Sequence, residues 1–290
     1  MAVNLQTIKD FRNFLASELK GLYEGSEAGA VADTVMLKAL GLESLPELLM
    51  RQNEKPVDSA KEHILEMCSE LKTGMPVQYV TGESYFLGCR IKVNPGVLIP
   101  RPETEEMTWL IINENRGFGG VITDICTGSG CIAIALAVHL REARIMASDI
   151  SSAALKTARE NARENNAEVT FYRSDILKKK LCRLTESDII VSNPPYVRNS
   201  EKNHMRKNVV LYEPQEALFV PDEDPLMFYR AILEAASQSL KPGGTVYFEI
   251  NEALGREMDG LMKSNGYSDV RIIKDLSGRD RIIKGRKNDR

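Results

Sequence analysis

The chain has 290 residues, of which 43% are hydrophobic and 27% are charged, a globular composition that can bury one large core with a smaller satellite domain. The formal net charge of −3 argues against a partner held mainly through its phosphate backbone, such as duplex nucleic acid. The sequence has no uninterrupted apolar run of about 18 residues, and its five cysteines form no C-x-x-C pair, so we expect reduced thiols in a cytoplasmic protein rather than a membrane span, a disulfide frame or a zinc site.

The first 75 residues have the periodicity of α-helices. Apolar residues recur at steps of three and four, and the glycines and prolines between them are typical of short helices joined by tight loops. The residues that define this period are Ile8, Phe11, Leu15, Leu19 and Leu22, followed later by Ile64, Leu65, Cys68 and Leu71. We therefore predict a small helical domain over residues 1–75.

The pattern changes in residues 76–100, where β-branched and aromatic residues alternate with polar ones around Gly88. This alternation predicts a β-hairpin that links the helical domain to the rest of the chain. A helix should follow from Thr104 to about Asn115, with Thr104 as its N-cap and glutamates in its first turn. The second domain is then predicted over residues 101–290.

Short apolar runs alternate with helical stretches through the second domain, which predicts an α/β fold with a largely parallel sheet and helices on both faces. The predicted strands are 121–125, 144–148, 169–172, 188–192 and 245–250, and the predicted helices are 131–140, 152–165, 225–240 and 253–264. Two late strands, 268–273 and 281–284, are joined by too few residues for a crossover helix, so they should pair antiparallel at or near a sheet edge.

The end of the chain is basic, with eight Lys or Arg against three Asp in the last twenty residues. We expect a solvated tail here, and contact with an RNA-bearing partner is the alternative.

A glycine-rich turn, T-D-I-C-T-G-S-G, ends the first predicted strand. Gly128 and Gly130 let the backbone turn sharply and approach a ligand, and the following helix points its free N–H groups at the same spot. Asp149 ends the second predicted strand nineteen residues after Gly130. A carboxylate at this position typically accepts hydrogen bonds from the hydroxyl groups of a ribose. The pattern predicts a site for an adenosine-type cofactor, although G-x-G-x-x-A also fits a nicotinamide enzyme or a helix-capping turn.

Asp175 and Ile176 follow the third predicted strand, at the end of the sheet where ligands of open α/β folds collect. Asp175 is a candidate adenine contact, and a cap or turn residue is the alternative. Ile176 is a candidate for apolar packing on the adenine or for the protein core.

The fourth predicted strand ends in N-P-P-Y at residues 193–196. Asn193 and Pro194 both precede a proline and are therefore extended, and neither proline has an N–H group. The loop offers carbonyl acceptors, including the Asn193 side chain, that suit a group with two N–H bonds such as a primary amide or an exocyclic amine. Tyr196 adds a flat ring that can stack on a planar substrate. A strand-ending turn is the simpler alternative.

A planar nitrogen of this kind is a weak nucleophile because its lone pair is delocalised. Acceptors that hold its two hydrogens orient the lone pair and favour the positive charge that develops on the nitrogen. An electrophile such as the sulfonium methyl of S-adenosylmethionine then needs positioning and electrostatics, without a metal or a covalent intermediate.

Together, D-x-x-T-G-S-G at 124–130 and N-P-P-Y at 193–196 resemble the Rossmann-like methyltransferases of planar amino groups. The stretches Q-Y-V-T-G-E-S-Y-F at 78–86, L-I-P-R-P-E-T-E-E at 98–106 and Y-E-P-Q-E-A-L-F at 212–219 extend the resemblance along nearly the whole chain to the peptide chain release factor N5-glutamine methyltransferases, the PrmC/HemK family. The resemblance implies a class I methyltransferase sheet with an antiparallel last strand, a small helical N-terminal domain and a connecting hairpin. The implied acceptor is the glutamine of the Gly-Gly-Gln loop in class 1 release factors, methylated on its side-chain amide nitrogen.

The resemblance also implies roles for individual residues. S-adenosylmethionine would be held by Cys126, Thr127, Gly128, Ser129, Gly130, Asp149, Asp175, Ile176 and Asn193. The glutamine would be received by Asn193, Pro194, Pro195 and Tyr196, of which Asn193, Pro194 and Tyr196 would be catalytic. Cys126 stands where relatives often have glycine, and Ile176 where they often have an aromatic residue. Arg101 and Glu103 are interpreted as groups of the site wall or of domain orientation, with an ordinary surface pair as the alternative.

Three rival functions remain open at this point. An N6-adenine methyltransferase would use the same N-P-P-Y chemistry but needs a basic groove or a target-recognition domain, which the composition does not supply. A nicotinamide oxidoreductase would leave N-P-P-Y unexplained, and a non-catalytic binding module would keep the fold without turnover. The sequence favours a methyltransferase whose partner is a release factor, with no membrane and no direct nucleic-acid substrate.

Overall fold

The computed structural model describes residues 5–23, 26–178 and 186–289, and these residues form two compact units. The smaller unit consists of the described residues up to Gly82 together with Arg206–Tyr212, and the larger unit consists of Glu83–Met205 together with the described residues from Glu213 onward. The first division between the units falls at Gly82, inside the stretch 76–100 that the sequence predicts as a linker.

The smaller unit is helical, as its periodicity predicts. Thr7 begins the first helix with a capping box, in which the Thr7 hydroxyl accepts from the Asp10 N–H at 3.2 Å and the Asp10 carboxylate accepts from the Thr7 N–H at 2.9 Å. Leu22 is exposed because this helix ends at Glu18. The helices are α1 (Ile8–Glu18), α2 (Glu27–Leu40), α3 (Leu45–Met50), α4 (Asp58–Lys72) and α5 (Val77–Thr81).

Arg206–Tyr212 belongs to the smaller unit although it lies far along the chain. The Tyr212 hydroxyl donates to the Thr73 backbone carbonyl at 2.9 Å and lies 2.8 Å from the Thr73 hydroxyl. Arg206 forms an ion pair with Glu27 at 3.8 Å. The smaller unit is thus built from two separate segments of sequence.

The larger unit contains a hairpin and a seven-stranded sheet. In the sheet order β10-β11-β9-β6-β3-β4-β5, the strands from β9 to β5 are parallel, while β11 pairs antiparallel with both β9 and β10. This is the predicted α/β sheet. Its strands are β3 (Val121–Ile125), β4 (Arg144–Asp149), β5 (Val169–Arg173), β6 (Ser187–Ser192), β9 (Leu240–Glu249), β10 (Tyr267–Lys274) and β11 (Asp280–Lys287), and the hairpin is β1 (Glu83–Phe86) with β2 (Cys89–Lys92).

Helices cover both faces of the sheet. On β9, Val246 and Phe248 pack into the core shared with Tyr229, whereas the hydroxyl of the intervening Tyr247 donates to Glu114 at 2.7 Å on the opposite face. The main helices are α6 (Pro102–Glu114), α7 (Cys131–His139), α8 (Ser152–Glu164), α11 (Met227–Ser239) and α12 (Gly255–Ser264), and the shorter elements of this unit are β7 (Val197–Arg198), a 3₁₀ helix (Asn199–His204), α10 (Gln215–Leu218) and β8 (Phe219–Val220). The short helix α9 (Lys207–Tyr212) belongs to the smaller unit.

Two local predictions are wrong. Helix α6 begins at Pro102 with Arg101 in the N-cap position, because proline suits the first turn and the Thr104 side chain is engaged elsewhere. The basic end of the chain is not a tail, since it forms β10 and β11. Lys287 donates to the carbonyls of Ser237 and Leu240 at 2.7 and 2.6 Å, at the end of α11.

Within the described ranges, no helix is both long enough and apolar enough to cross a bilayer, and no cluster of His, Cys, Asp or Glu is arranged to hold a metal ion. Cys68, Cys89, Cys126 and Cys131 are free thiols, whereas Cys182 lies outside the described residues.

Replacing Phe248 with alanine should lower the free energy of unfolding of the larger unit by about 3–5 kcal/mol, because it leaves a cavity in the core. Phe248 is fully buried, and its ring meets the Tyr229 ring edge-on at 5.3 Å. Urea unfolding followed by the fluorescence of Trp109, the single tryptophan, reports on this unit. Leu276→Ala, at a residue that is 93% exposed, is the control and should change stability by less than about 0.5 kcal/mol. A similarly small change for Phe248→Ala would contradict this description of the core.

Candidate active site

The predicted site residues meet at the carboxyl ends of β3, β4, β5 and β6, the edge at which open α/β sheets bind ligands. A cavity of about 210 Å³ lies there. Of the predicted residues, Cys126, Gly128, Asp149, Asp175, Ile176, Asn193 and Pro195 line it.

The glycine loop turns sharply at both of its glycines, for different physical reasons. Gly128 has a φ of +54°, and a Cβ at this position would meet no atom within 4 Å, so the backbone is open to a ligand. Gly130 has a φ of +84°, and a Cβ there would lie 3.0 Å from the Cβ of Ala158. Gly130 therefore allows α8 to pack closely against the loop.

Cys126 adopts a left-handed backbone with a φ of +62°, a conformation that costs a non-glycine residue about 1–2 kcal/mol. The backbone of Cys126 therefore has the left-handed conformation that glycine adopts most easily. Burial, together with the nearby carboxylates of Asp149 and Asp124, raises the pKa of the Cys126 thiol. The thiol is consequently neutral and acts as a small apolar group in the cavity wall.

Asp149 joins β4 to the glycine loop. Its Oδ2 accepts from the Gly128 N–H and its Oδ1 from the Ser151 N–H, both at 2.9 Å. Burial raises the pKa of Asp149, and these two backbone donors oppose the rise. Because a carboxylate has about four acceptor sites, Asp149 can also accept hydrogen bonds from a ligand.

Thr127, Ser129 and Gly130 are not among the residues that line the cavity. The Thr127 hydroxyl donates to Asp124 at 2.5 Å, and the Ser129 carbonyl accepts from the side chain of Asn161 at 2.9 Å. These contacts hold the shape of the loop, and a direct role of the three residues in cofactor binding stays a prediction.

Asp175 and Ile176 lie together on the cavity wall. Asp175 accepts from the Leu177 N–H at 3.1 Å and forms an ion pair with Lys178 at 3.0 Å, which is the turn role that the sequence leaves open. Ile176 is 8% exposed and packs in the core beside α11. Ile176 thus belongs to the core and also presents apolar surface to the cavity.

The N-P-P-Y loop is held at both ends. Asn193 Nδ2 donates to the Thr104 hydroxyl at 3.0 Å, and the Tyr196 hydroxyl donates to Glu249 Oε1 at 2.8 Å. Asn193 and Pro195 line the cavity, whereas Pro194 is buried and the half-buried Tyr196 ring packs against the core around α11. Since Thr104 engages Nδ2, the oxygen Oδ1 is the atom that Asn193 can offer to a ligand.

Glu249 contacts the N-P-P-Y loop, and the sequence analysis did not single it out. It ends β9, is 1% exposed, and accepts from Tyr196 and, at 2.5 Å, from the Thr104 hydroxyl. Burial raises the pKa of Glu249, while the donors Thr104 and Tyr196 and the charge of Arg281 oppose the rise. The sequence does contain a signal for Glu249, because a carboxylate at the carboxyl end of an apolar strand lies where α/β sheets bind ligands.

Arg101 does not pair with Glu103. Its guanidinium forms an ion pair with Glu213, which is 3% exposed and also accepts from the Ile99 N–H at 3.2 Å. The pair ties the P-R-P-E-T-E stretch to the Y-E-P-Q-E-A-L-F stretch, whose residues Pro214, Glu216 and Ala217 line the cavity. Arg101 thus supports the cavity wall.

Two family models and several curated relatives match this chain, and together the matches cover most of its length. Residues 108–221 match the family model "Methyltransferase small domain", and residues 10–82 match "PrmC N-terminal domain". A release factor glutamine methyltransferase of Bacteroides thetaiotaomicron is 44% identical over 93% of this chain and 96% of its own length. One of Flavobacterium psychrophilum is 48% identical over 74% of this chain and 76% of its own length.

A solved methyltransferase structure from Pyrococcus furiosus matches 80% of this chain and all of its own, with a TM-score of 0.53 and 22% identity. This likeness concerns the fold, and it agrees with the observed sheet.

Asp124 should make the stability of the larger unit depend on pH. It is fully buried, and burial, followed by the charge of Asp149, raises its pKa from the ordinary 3.8 to about 7. Between these two values the folded protein keeps a proton that the unfolded chain releases, so the stability contribution of Asp124 is lost as the pH rises through about 7.

The Asp124→Asn variant cannot titrate, so between pH 5 and pH 8 it should lose about 2–3 kcal/mol less stability than the wild type. Urea unfolding monitored by Trp109 fluorescence measures the difference. Asp269→Asn, at an exposed residue of β10, serves as the matched control and should follow the wild type. Equal pH profiles for the wild type and Asp124→Asn would show that Asp124 is ionised in the folded protein across this range.

Proposed function

The chain belongs to the release factor glutamine methyltransferase family, and we propose that it methylates the side-chain amide nitrogen, N5, of the glutamine in the Gly-Gly-Gln loop of class 1 release factors, with S-adenosylmethionine as the methyl donor. The observation that carries this proposal is that Asn193 lines the same cavity as Asp149 and Gly128. A side chain that can accept from an N–H group and a carboxylate that can accept from a ribose therefore line one cavity.

The cavity residues suit S-adenosylmethionine. Asp149 keeps acceptor capacity for the ribose hydroxyls after binding Gly128 and Ser151, and the open backbone at Gly128 allows close approach. Ile176 offers apolar surface for the adenine. When bound, the cofactor supplies an electrophilic methyl group on its sulfonium sulfur.

Asn193 and Pro194 would bind the acceptor amide. The Asn193 Oδ1 and the Pro194 backbone carbonyl each accept one hydrogen of the substrate NH₂ group, which orients the nitrogen lone pair out of conjugation and toward the methyl group. Pro195 has no N–H to compete for these acceptors. The new bond from nitrogen to the methyl carbon would form as the bond from that carbon to sulfur breaks, which would leave a neutral thioether. The positive charge would then lie on the nitrogen, where the two oxygens stabilise it. The nitrogen then releases one proton to solvent and becomes a neutral secondary amide.

A transfer assay tests the proposed acceptor. The full chain, incubated with S-adenosylmethionine labelled in its methyl group, should label a class 1 release factor, and the label should lie on the Gly-Gly-Gln peptide. A release factor whose glutamine in that loop is replaced by alanine should stay unlabelled. Absence of transfer to the release factor, with efficient transfer to DNA or RNA in parallel reactions, would favour the N6-adenine methyltransferase instead.

Replacing Asn193 with alanine should lower kcat about 100- to 1,000-fold, because it removes an acceptor that strengthens in the transition state. Affinity for S-adenosylmethionine, measured by calorimetry, should change far less. Asn288→Ala is a matched control, since Asn288 is exposed and follows the end of β11, where Arg286 pairs with Thr245 of β9, away from the carboxyl ends of the parallel strands. A kcat for Asn193→Ala within a fewfold of the wild type would refute this role for Asn193.

A further inference from the structure

One buried carboxylate holds both ends of the N-P-P-Y loop. Glu249 Oε1 accepts from Tyr196 at 2.8 Å, and Glu249 Oε2 accepts from Thr104 at 2.5 Å. Thr104 in turn accepts from Asn193 Nδ2 at 3.0 Å. Since Thr104 is 3% and Glu249 1% exposed, water does not compete for these hydrogen bonds.

The direction of this chain follows from counting donors and acceptors. An ionised carboxylate only accepts hydrogen bonds, so Thr104 and Tyr196 must both donate their hydroxyl protons to Glu249. The hydroxyl of Thr104 has a single proton, so toward Asn193 it can only accept. Asn193 must then present its NH₂ group to Thr104 and its oxygen to the other side.

This direction matters because the two ends of an asparagine amide have nearly the same shape but opposite hydrogen-bonding character. With Oδ1 toward the cavity, Asn193 accepts from an N–H group and repels a carboxylate. With Nδ2 toward the cavity, it would instead favour a carboxylate or carbonyl oxygen. The shape of the side chain therefore does not select between the two orientations. Thr104 can select between them, because it donates its proton to Glu249 and can only accept from Asn193.

Burial raises the pKa of Glu249, and the negative charge of Glu103 on α6 adds to that rise. The hydroxyls of Thr104 and Tyr196, which donate to the carboxylate, and the positive charge of Arg281 on β11 act in the opposite direction and favour its charged form. The Tyr229 hydroxyl donates to the Glu249 backbone carbonyl at 2.9 Å, which anchors the end of β9. A buried carboxylate without such donors would be strongly disfavoured.

We propose that Thr104 and Glu249 are positioning residues that fix the side-chain oxygen of Asn193 toward the substrate nitrogen, and so make the site select glutamine over glutamate. The inference rests on the proposed function, because it assigns the source of specificity in that same site. Thr104 and Glu249 act through Asn193 and need not touch the substrate.

The decisive variant is Thr104→Val, which keeps the shape of the side chain but neither donates nor accepts. Its kcat should fall about tenfold, as for one misdirected hydrogen bond, and Thr104→Ser should restore kcat to within about threefold. Thr108→Val is the matched control. Thr108 is also fully buried and lies one turn further along α6, where its hydroxyl donates to the Thr104 carbonyl at 2.8 Å, so it has no part in directing Asn193.

A binding measurement separates orientation from general damage. For each variant, the affinity is measured for the release factor and for a form whose acceptor glutamine is replaced by glutamate. The wild type and Thr108→Val should prefer glutamine, and in Thr104→Val that preference should shrink at least about fivefold because the amide is free to turn. Thr104→Ser should recover the preference.

Each outcome separates this inference from the function on which it rests. If Thr104→Val weakens binding of both release factors equally, Thr104 is only structural and the inference fails. If the wild type does not methylate the release factor at all, the proposed function fails first. Should Thr104→Val not fold, as judged by Trp109 fluorescence, Glu249→Gln tests the same point. Its amide can donate to Thr104, so the glutamine preference should again shrink, and an unchanged preference overturns the proposal.

Discussion

The burial of the Glu249 carboxylate is the constraint around which the acceptor side of the larger unit is arranged. A carboxylate removed from water needs hydrogen-bond donors, and here they come from α6 through Thr104 and from the loop after β6 through Tyr196. The pairing of β6 with β9 brings Ser192 opposite Phe248, so Glu249 lies beside the start of the N-P-P-Y loop. Helix, loop and strand therefore meet at one carboxyl group, and its hydrogen bonds hold the loop in addition to the restriction that the prolines impose.

The cofactor side follows the same principle with another carboxylate. Asp149 binds the Gly128 N–H, so the carboxylate suited to a ribose also sets the shape of the loop that would approach the ligand. The hydrogen bond from the Thr127 hydroxyl to Asp124 also holds this turn. The left-handed conformation of Cys126 is tolerated because the neighbouring contacts fix the turn independently of the residue at that position. Buried acidic groups thus hold the backbone at the glycine loop, where it borders the cavity.

Much of this architecture could be predicted from the sequence because its signals are local. Alternating apolar runs gave the order of strands and helices, the glycine spacing located the first turn, and N-P-P-Y located the fourth strand end. Glu249 and Thr104 were missed because their significance depends on strand register and on a contact across 145 residues of chain. Thr104 in particular resembled an N-cap in isolation, but Pro102 begins the helix and leaves the Thr104 hydroxyl for Glu249. At the basic end of the chain, the period of the apolar residues predicted the two antiparallel strands correctly. The expectation of a solvated tail was wrong because charge alone does not show that Lys287 donates to carbonyls at the end of α11.

The smaller unit is built from two separate segments of the chain, which affects recombination between related genes. Tyr212 reaches Thr73 from a segment encoded well over a hundred codons downstream, so a crossover that exchanges only the first 82 residues between relatives would separate two interacting surfaces. Arg206 and Glu27 form a second contact that would be divided in the same way. Such a crossover would replace Thr73 and Glu27 while keeping Arg206–Tyr212, so both contacts would depend on which residues the relative carries at those two positions.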